Sequence, residues 1–112
     1  MLAGSGQRAA AQDSAPVDQV QAVVFGLDTP QEALRADQHL GHIPGVLLTR
    51  TDVRTRNLYM LVKAESPDQE QAVRAALGQL GLRLACWTRA PRSDGPFDHL
   101  DPDRCGETPS VR

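Results

Sequence analysis

The fold is decided by the stretch VQAVVFGLDTPQE at residues 20–32, where a strand pattern passes directly into a helix start. Its first half, residues 20–25, is rich in β-branched and aromatic side chains and predicts a strand. Thr29, Pro30 and Glu32 then take the N-cap, N1 and N3 positions of a predicted helix. The Thr29 hydroxyl and the Glu32 carboxylate can therefore satisfy free backbone N–H groups reciprocally, in a capping box.

The remaining patterns complete a β-α-β-β-α-β order. They predict helices over 30–42 and 67–80, the second opened by Ser66-Pro67, and strands over 46–53, 58–62 and 82–88. Right-handed crossovers leave one compact arrangement for this order. The expected fold class is α+β, a ferredoxin-like sandwich of a four-stranded antiparallel sheet with both helices on one face.

Length and composition limit the organisation to one domain with tails. The chain has 112 residues, 40% of them hydrophobic and 23% charged, with a net charge of -2. Such a chain is an ordinary globular protein and is poorly suited to nonspecific nucleic-acid binding. We expect flexible tails at 1–18 and 91–112, the second acidic and proline-rich, around a core at 19–90. No segment resembles a membrane span or a secretory signal, so the expected location is cytoplasmic, with no membrane partner.

Three glycine-containing pairs carry a resemblance to a known family. Gly26-Leu27, Gly45-Val46 and Gly81-Leu82 lie at compatible spacing within the predicted elements. In this respect the segment of about residues 20–88 resembles the heavy-metal-associated domain found in copper chaperones and metal-pumping ATPases. The resemblance implies the same ferredoxin-like fold. In that family, two cysteines between the first strand and the first helix bind soft Cu(I) or similar ions.

This chain departs from the family at those two cysteine positions, which are Thr29 and Glu32. Neither side chain supplies the thiolate sulfur that selects soft metals. We interpret both residues as serving the capping box, so the chain resembles a family member whose metal motif is absent. The alternative is a weak divalent-metal contact through Glu32 and Asp28, since carboxylate oxygens suit hard cations.

Other side chains could hold a transition-metal ion weakly. His39 and His42 lie three residues apart on the first predicted helix, although imidazoles near a helix end also interact favourably with its dipole. His99 and Cys105 lie in the acidic tail, which is otherwise explained as a solvated segment. Cys86 falls inside a strand pattern and is interpreted as a small buried hydrophobe. No structural disulfide is expected from these two cysteines.

Strand alternation predicts an interaction face on the side of the sheet without helices. If Ala22 and Val24 of the first strand and Met60 and Val62 of the third point towards the helices, the large side chains on the other face include Phe25, Tyr59 and Leu61. With Leu84 and Cys86 pointing towards the helices in the last strand, Trp87 joins them. A soluble monomer seldom leaves such a patch uncovered. The cover is either the tail, through Phe97, or a protein partner, including a second copy. RNA binding is disfavoured, because the aromatic and basic consensus of RNA-recognition sheets is missing.

No pattern in the sequence indicates catalysis. The chain has no Ser-His-Asp or Cys-His arrangement, no glycine-rich phosphate loop and no paired carboxylates at element ends. We therefore expect a non-enzymatic protein without a cofactor. The leading hypothesis is a small binding or interaction domain of heavy-metal-associated type that has lost its thiolate site. The alternative is a metal-trafficking protein that uses histidine, carboxylate or Cys105 ligands.

Overall fold

The structure, a computed structural model, describes residues 15–95 and 98–105. Its elements are β1 (Val17–Phe25), α1 (Pro30–Leu40), β2 (Val46–Asp52), β3 (Asn57–Lys63), α2 (Glu70–Gln79) and β4 (Arg83–Pro91). The strands form one antiparallel sheet in the order β2-β3-β1-β4. This confirms the predicted ferredoxin-like fold. Within the described ranges, neither helix has the length and apolar character needed to cross a membrane.

The core lies between the helices and one face of the sheet. Alternate residues of β1 and β3 point into it, because successive side chains of a strand face opposite sides. Its sheet side chains are Val20, Ala22, Val24, Leu58, Met60, Val62 and Leu84. The helices contribute Ala33, Ala36, Leu40, Val73 and Leu77. The side-chain alternation predicted for β1 and β3 is thus the one that the structure has.

The second helix begins later than predicted. It starts at Glu70, and its N-cap residue, Gln69, makes no side-chain capping bond. The expected role of Ser66 as N-cap is therefore wrong. The Gln69 side chain turns back to donate to the Pro44 carbonyl and to Ser66, and the Asp68 carboxylate accepts from the Glu70 backbone N–H. These side-chain bonds keep the segment before Glu70 out of the helix.

A β-bulge in β4 reverses which residues face the core. Gln21 of β1 lies opposite Thr88, whereas Val23 lies opposite Ala85, so β4 holds one extra residue between these pairs. Cys86, at this place, has a φ of +57°, which non-glycine residues adopt rarely. One extra residue shifts the two-residue alternation. Trp87 consequently packs against the core, and its prediction as part of the helix-free face is wrong.

The C-terminal segment is joined to the sheet by a disulfide. Cys86 and Cys105 are bonded, with their Cα atoms 5.8 Å apart. The expectation of no structural disulfide is therefore wrong, as is the interpretation of Cys86 as a core hydrophobe. The bond depends on the chain's return from β4 across the sheet, and the spacing of two cysteines does not reveal such a return. The described residues contain no free cysteine.

Candidate functional site

The loop between β1 and α1 contains the predicted capping box. Thr29 has extended backbone geometry, and its hydroxyl accepts a hydrogen bond from the Glu32 backbone N–H at 3.2 Å. One carboxylate oxygen of Glu32, Oε1, accepts from the backbone N–H of Thr29 at 3.0 Å and from that of Asp28 at 2.7 Å. The side chains of Thr29 and Glu32 therefore both bond to the backbone at the helix start.

The electrostatics of this loop favour an ionised Glu32. The backbone N–H of Asp28, followed by that of Thr29, lowers the pKa of the Glu32 carboxyl below its ordinary value of 4.5. A carboxylate that accepts backbone hydrogen bonds is stabilised in its charged form. The negative charge also lies in the first turn of α1, where it interacts favourably with the helix dipole.

These residues do not fit the thiolate metal site of the family. The loop offers oxygen donors alone, whereas soft ions select sulfur. One oxygen of Glu32 already has two backbone donors, which compete with a cation for it. Across residues 15–95 and 98–105, no group of three or more His, Cys, Asp or Glu side chains is placed to hold a metal ion.

The two histidines of the first helix region lie along one groove. His39 and His42 line a depression between α1 and α2 whose other walls are amide and methyl side chains. Those walls are formed by Gln38, Ala72, Ala75, Ala76 and Gln79. The structure thus brings the two imidazoles to the same surface, but the groove provides no carboxylate or thiol as a further ligand.

His99 and Cys105 lie in different surroundings in the structure. His99 lines a cavity of about 350 Å³ beside β2 and β3, together with Arg50, Asn57 and Tyr59. Cys105 is bonded to Cys86. In this oxidised form, the Cys105 sulfur is not a thiolate and is not available as the metal ligand considered from the sequence.

On the helix-free face, three of the four predicted residues keep their assigned side. The Arg83 guanidinium lies over the Phe25 ring, 4.7 Å from its centre. Tyr59 and Leu61 are half-buried, and they alternate with Leu58, Met60 and Val62, which point into the core. Phe97, the side chain expected to cover this face, lies outside the described residues.

Polar side chains on the helix-free face are unexpectedly buried. Gln19, Gln21 and Asn57 are each no more than 3% exposed. The Gln19 side-chain amide donates to the Gly95 carbonyl. The Gln21 amide donates to Asn57 Oδ1 at 2.6 Å. Their burial means that this face is covered, and the described C-terminal residues form part of the cover.

Asn57 connects the sheet to that cover. Its Oδ1 accepts from the Leu100 backbone N–H at 2.8 Å, and its Nδ2 donates to the Leu100 carbonyl at 2.9 Å. Sequence analysis missed this residue. A usable signal was present, because Gln19 and Gln21 alternate with apolar residues on β1, and asparagine is unusual at the start of a central strand.

Arg89 is a second polar centre that sequence analysis missed. Its Nε donates to the Asp18 carboxylate at 2.9 Å, and the pair is largely shielded from solvent. One terminal nitrogen donates to Gln69 Oε1 at 3.0 Å, and the other reaches the carbonyls of Lys63 and Ser66. Arg89 therefore ties β1 and β4 to the loop between β3 and α2.

Comparison with solved structures confirms the heavy-metal-associated fold. The CopZ metallochaperone is 15% identical, with a TM-score of 0.54 over 59% of this chain and 97% of that chain. The N-terminal domain of a potential copper-translocating P-type ATPase from Bacillus subtilis, in its Cu(I)-loaded state, is 16% identical, with a TM-score of 0.54 over 64% and 91%. The N-terminal domain of the zinc(II) ATPase ZiaA, in its apo form, is 22% identical, with a TM-score of 0.51 over 68% and 99%. At these identities, the likeness establishes the fold alone. No protein-family model and no curated protein sequence matches the chain.

Proposed function

We propose that this chain is a non-enzymatic, cytoplasmic domain that binds another protein and does not carry metal at the β1–α1 loop. The observation that carries the proposal is the capping box. By the resemblance of the sequence, Thr29 and Glu32 take the positions of the family's two cysteines. Both side chains are bonded to the backbone of the helix start. The loop therefore stabilises α1 and presents no thiolate to a soft cation.

The binding role is supported by the helix-free face. Tyr59 and Leu61 lie on it, and it also holds a row of buried amide side chains. Part of this face is already in contact with peptide, because Asn57 hydrogen-bonds to both backbone polar groups of Leu100. A sheet face that hydrogen-bonds both backbone groups of one residue of its own chain has groups that can bond in the same way to a residue of another protein.

Copper competition tests the loss of the loop site. The full-length protein with Cys86→Ser and Cys105→Ser has no cysteine, so any binding must come from other ligands. We expect it to leave Cu(I) with a chromophoric chelator. Adding Thr29→Cys and Glu32→Cys in the same background should create competition, because two thiolates then lie at the start of α1. Stoichiometric Cu(I) binding before the cysteines are added would contradict the proposal.

A second candidate function is soft-metal binding by the reduced cysteine pair. It is favoured by one observation, namely that Cys86 and Cys105 have Cα atoms 5.8 Å apart although 19 positions separate them in sequence. Two thiolates at this separation can share a thiophilic ion. Reduced wild-type protein would then compete for Cu(I), whereas the protein lacking both cysteines would not. No competition by the reduced wild type would eliminate this candidate.

A further inference from the structure

Asn57 uses all its hydrogen-bonding capacity, and half of it is directed at the C-terminal segment. Oδ1 accepts from the Gln21 side chain and from the Leu100 N–H, while Nδ2 donates to the carbonyls of Thr55 and Leu100. The bonds to Gln21 and Thr55 belong to the domain itself. They hold the carboxamide in place, so that its second acceptor site and second N–H point at one residue of the covering segment.

The pair of bonds to Leu100 has the form of strand pairing. In an antiparallel ladder, a residue uses its own N–H and its own C=O towards one partner residue. Leu100 does the same towards the Asn57 side chain, at 2.8 and 2.9 Å. The carboxamide therefore recognises backbone groups, which any non-proline residue of an extended peptide can present.

The disulfide holds this contact closed. Cys86 lies in the bulge of β4, and Cys105 follows Leu100 by five residues. The segment around Leu100 is thus anchored at β4 on one side and at Cys105 on the other. Breaking the second anchor gives the segment more open conformations and raises the entropic cost of returning to Asn57.

We propose that Asn57 is the centre of a subsite for an extended peptide of a partner protein, and that thiol reduction makes this subsite available. In the oxidised protein, the chain's own segment at 98–101 occupies it. When that segment leaves, His99 is removed from the cavity of about 350 Å³ beside Asn57, and Arg50 and Tyr59 remain there to contact a partner's side chain. This inference rests on the proposed function, since it assigns the surface and the partner chemistry of the same binding domain.

The redox step is a thiol–disulfide exchange. Two equivalents of a low-molecular-weight thiol, or one protein dithiol, are oxidised to a disulfide. The Cys86–Cys105 S–S bond takes up two electrons and two protons, and two thiols form. Disulfides of proteins in reducing compartments are commonly redox-responsive, which agrees with the location proposed above.

Hydrogen exchange at Leu100 tests whether the disulfide holds the segment at 98–101 against Asn57. The chain-entropy estimate for a loop of this size predicts that, without the cross-link, the equilibrium for contact between the segment and Asn57 is weaker by roughly a hundredfold. We expect the Leu100 amide of the full-length protein to exchange on the order of a hundredfold faster after reduction, and faster than core amides such as that of Met60, whose exchange follows global unfolding. An unchanged Leu100 rate, or a Leu100 rate in the reduced protein no faster than that of Met60, would overturn the proposal.

A peptide probe tests recognition by Asn57. The probe is a synthetic peptide of residues 98–105 with Cys105→Ser, and the matched control carries Leu100→Pro in addition, which removes the N–H that Asn57 accepts from. We expect the reduced full-length protein with Leu100→Pro to bind the first peptide. Binding is measured as shifts of the NMR resonances of the Asn57 side-chain amide. The oxidised wild type should not bind, because its own segment is retained.

Two results would refute the peptide subsite. One is equal binding of the two peptides, which would mean that the Asn57 contact is not recognised. The other is absence of binding to the reduced Leu100→Pro protein. Neither result affects the copper competition described above, so a failure of the subsite is distinguishable from a failure of the proposed function.

Discussion

At the scale of single residues, Glu32 makes the start of α1 sensitive to acid. Backbone N–H groups of Asp28 and Thr29 lower its pKa below 4.5, so its contribution to stability is present above that pH and is lost as the pH falls through the lower, folded-state value. We expect Glu32→Gln to lower the free energy of unfolding at neutral pH. The difference from the wild type should shrink below pH 4.5, as measured by urea denaturation at several pH values.

The difference in the free energy of unfolding between the wild type and Glu32→Gln cancels the pH dependence that comes from other acidic groups. Asp52 also has a lowered pKa, chiefly because its carboxylate accepts the Arg54 backbone N–H, and it titrates in both proteins. Glu32→Asp is a further control, since it keeps the charge but shortens the side chain. If the gap between wild type and Glu32→Gln stays constant from neutral pH to pH 3, the carboxylate is not responsible for it.

Arg89 is the second residue with a measurable role. Its planar guanidinium reaches the Asp18 carboxylate, Gln69 and two loop carbonyls at once, which a lysine ammonium cannot reproduce. We expect Arg89→Lys to lower the free energy of unfolding by about 1–3 kcal/mol, the range for hydrogen bonds to charged groups. Arg92→Lys, at an exposed position, is the matched control and should change stability little. Equal losses in the two variants would show that the network contributes nothing specific.

At the scale of elements, the bulge in β4 decides the environment of the single tryptophan. Trp87 packs against the core between sheet and helices, whereas the C-terminal segment contacts the other face. Reduction of the disulfide should therefore leave the wavelength of the Trp87 emission maximum unchanged. The intensity is a poor reporter here, because the neighbouring disulfide quenches fluorescence. A red shift on reduction would place Trp87 beneath the C-terminal segment, as simple alternation predicts.

At the scale of the whole molecule, the disulfide stabilises the fold by constraining the unfolded chain. For its 19-residue separation, the chain-entropy estimate is about 3 kcal/mol. Replacing both cysteines by serine should lower the free energy of unfolding by this amount, with the fold retained. Reductant should lower the stability of the wild type to the same level and leave the serine variant unchanged. A wild type that is equally stable with and without reductant would show that the bond carries no stabilisation.

Local patterns predicted most of the architecture, because the signals lie within a few residues of each other. The capping box at Thr29 and Glu32 needs three consecutive peptide units, and the alternation of β1 needs only side chains two apart. The start of α2 was mispredicted for a related reason. Ser66-Pro67 has the chemistry of a helix start, but Gln69 turns back to Pro44, a contact across 25 residues.

The helix-free face was predicted in part. Phe25, Tyr59 and Leu61 follow from alternation, and the structure keeps them on that side. Trp87 does not, because a bulge depends on how β4 pairs with β1 and leaves no separate mark in the sequence of β4. The burial of Asn57 had a local signal, but its contact with Leu100 could not be predicted, because the two residues are 43 positions apart.

By itself, the sequence determined the order of elements, the apolar face of each and the oxygen-only chemistry of the β1–α1 loop. These are properties of residue type and short spacing, and they hold in any packing of the same elements. Tertiary structure alone decided that Cys86 meets Cys105, that Asn57 meets Leu100 and that Trp87 enters the core. Each depends on the register of β4 or on the return of the chain over the sheet, and many long-range contacts settle these together.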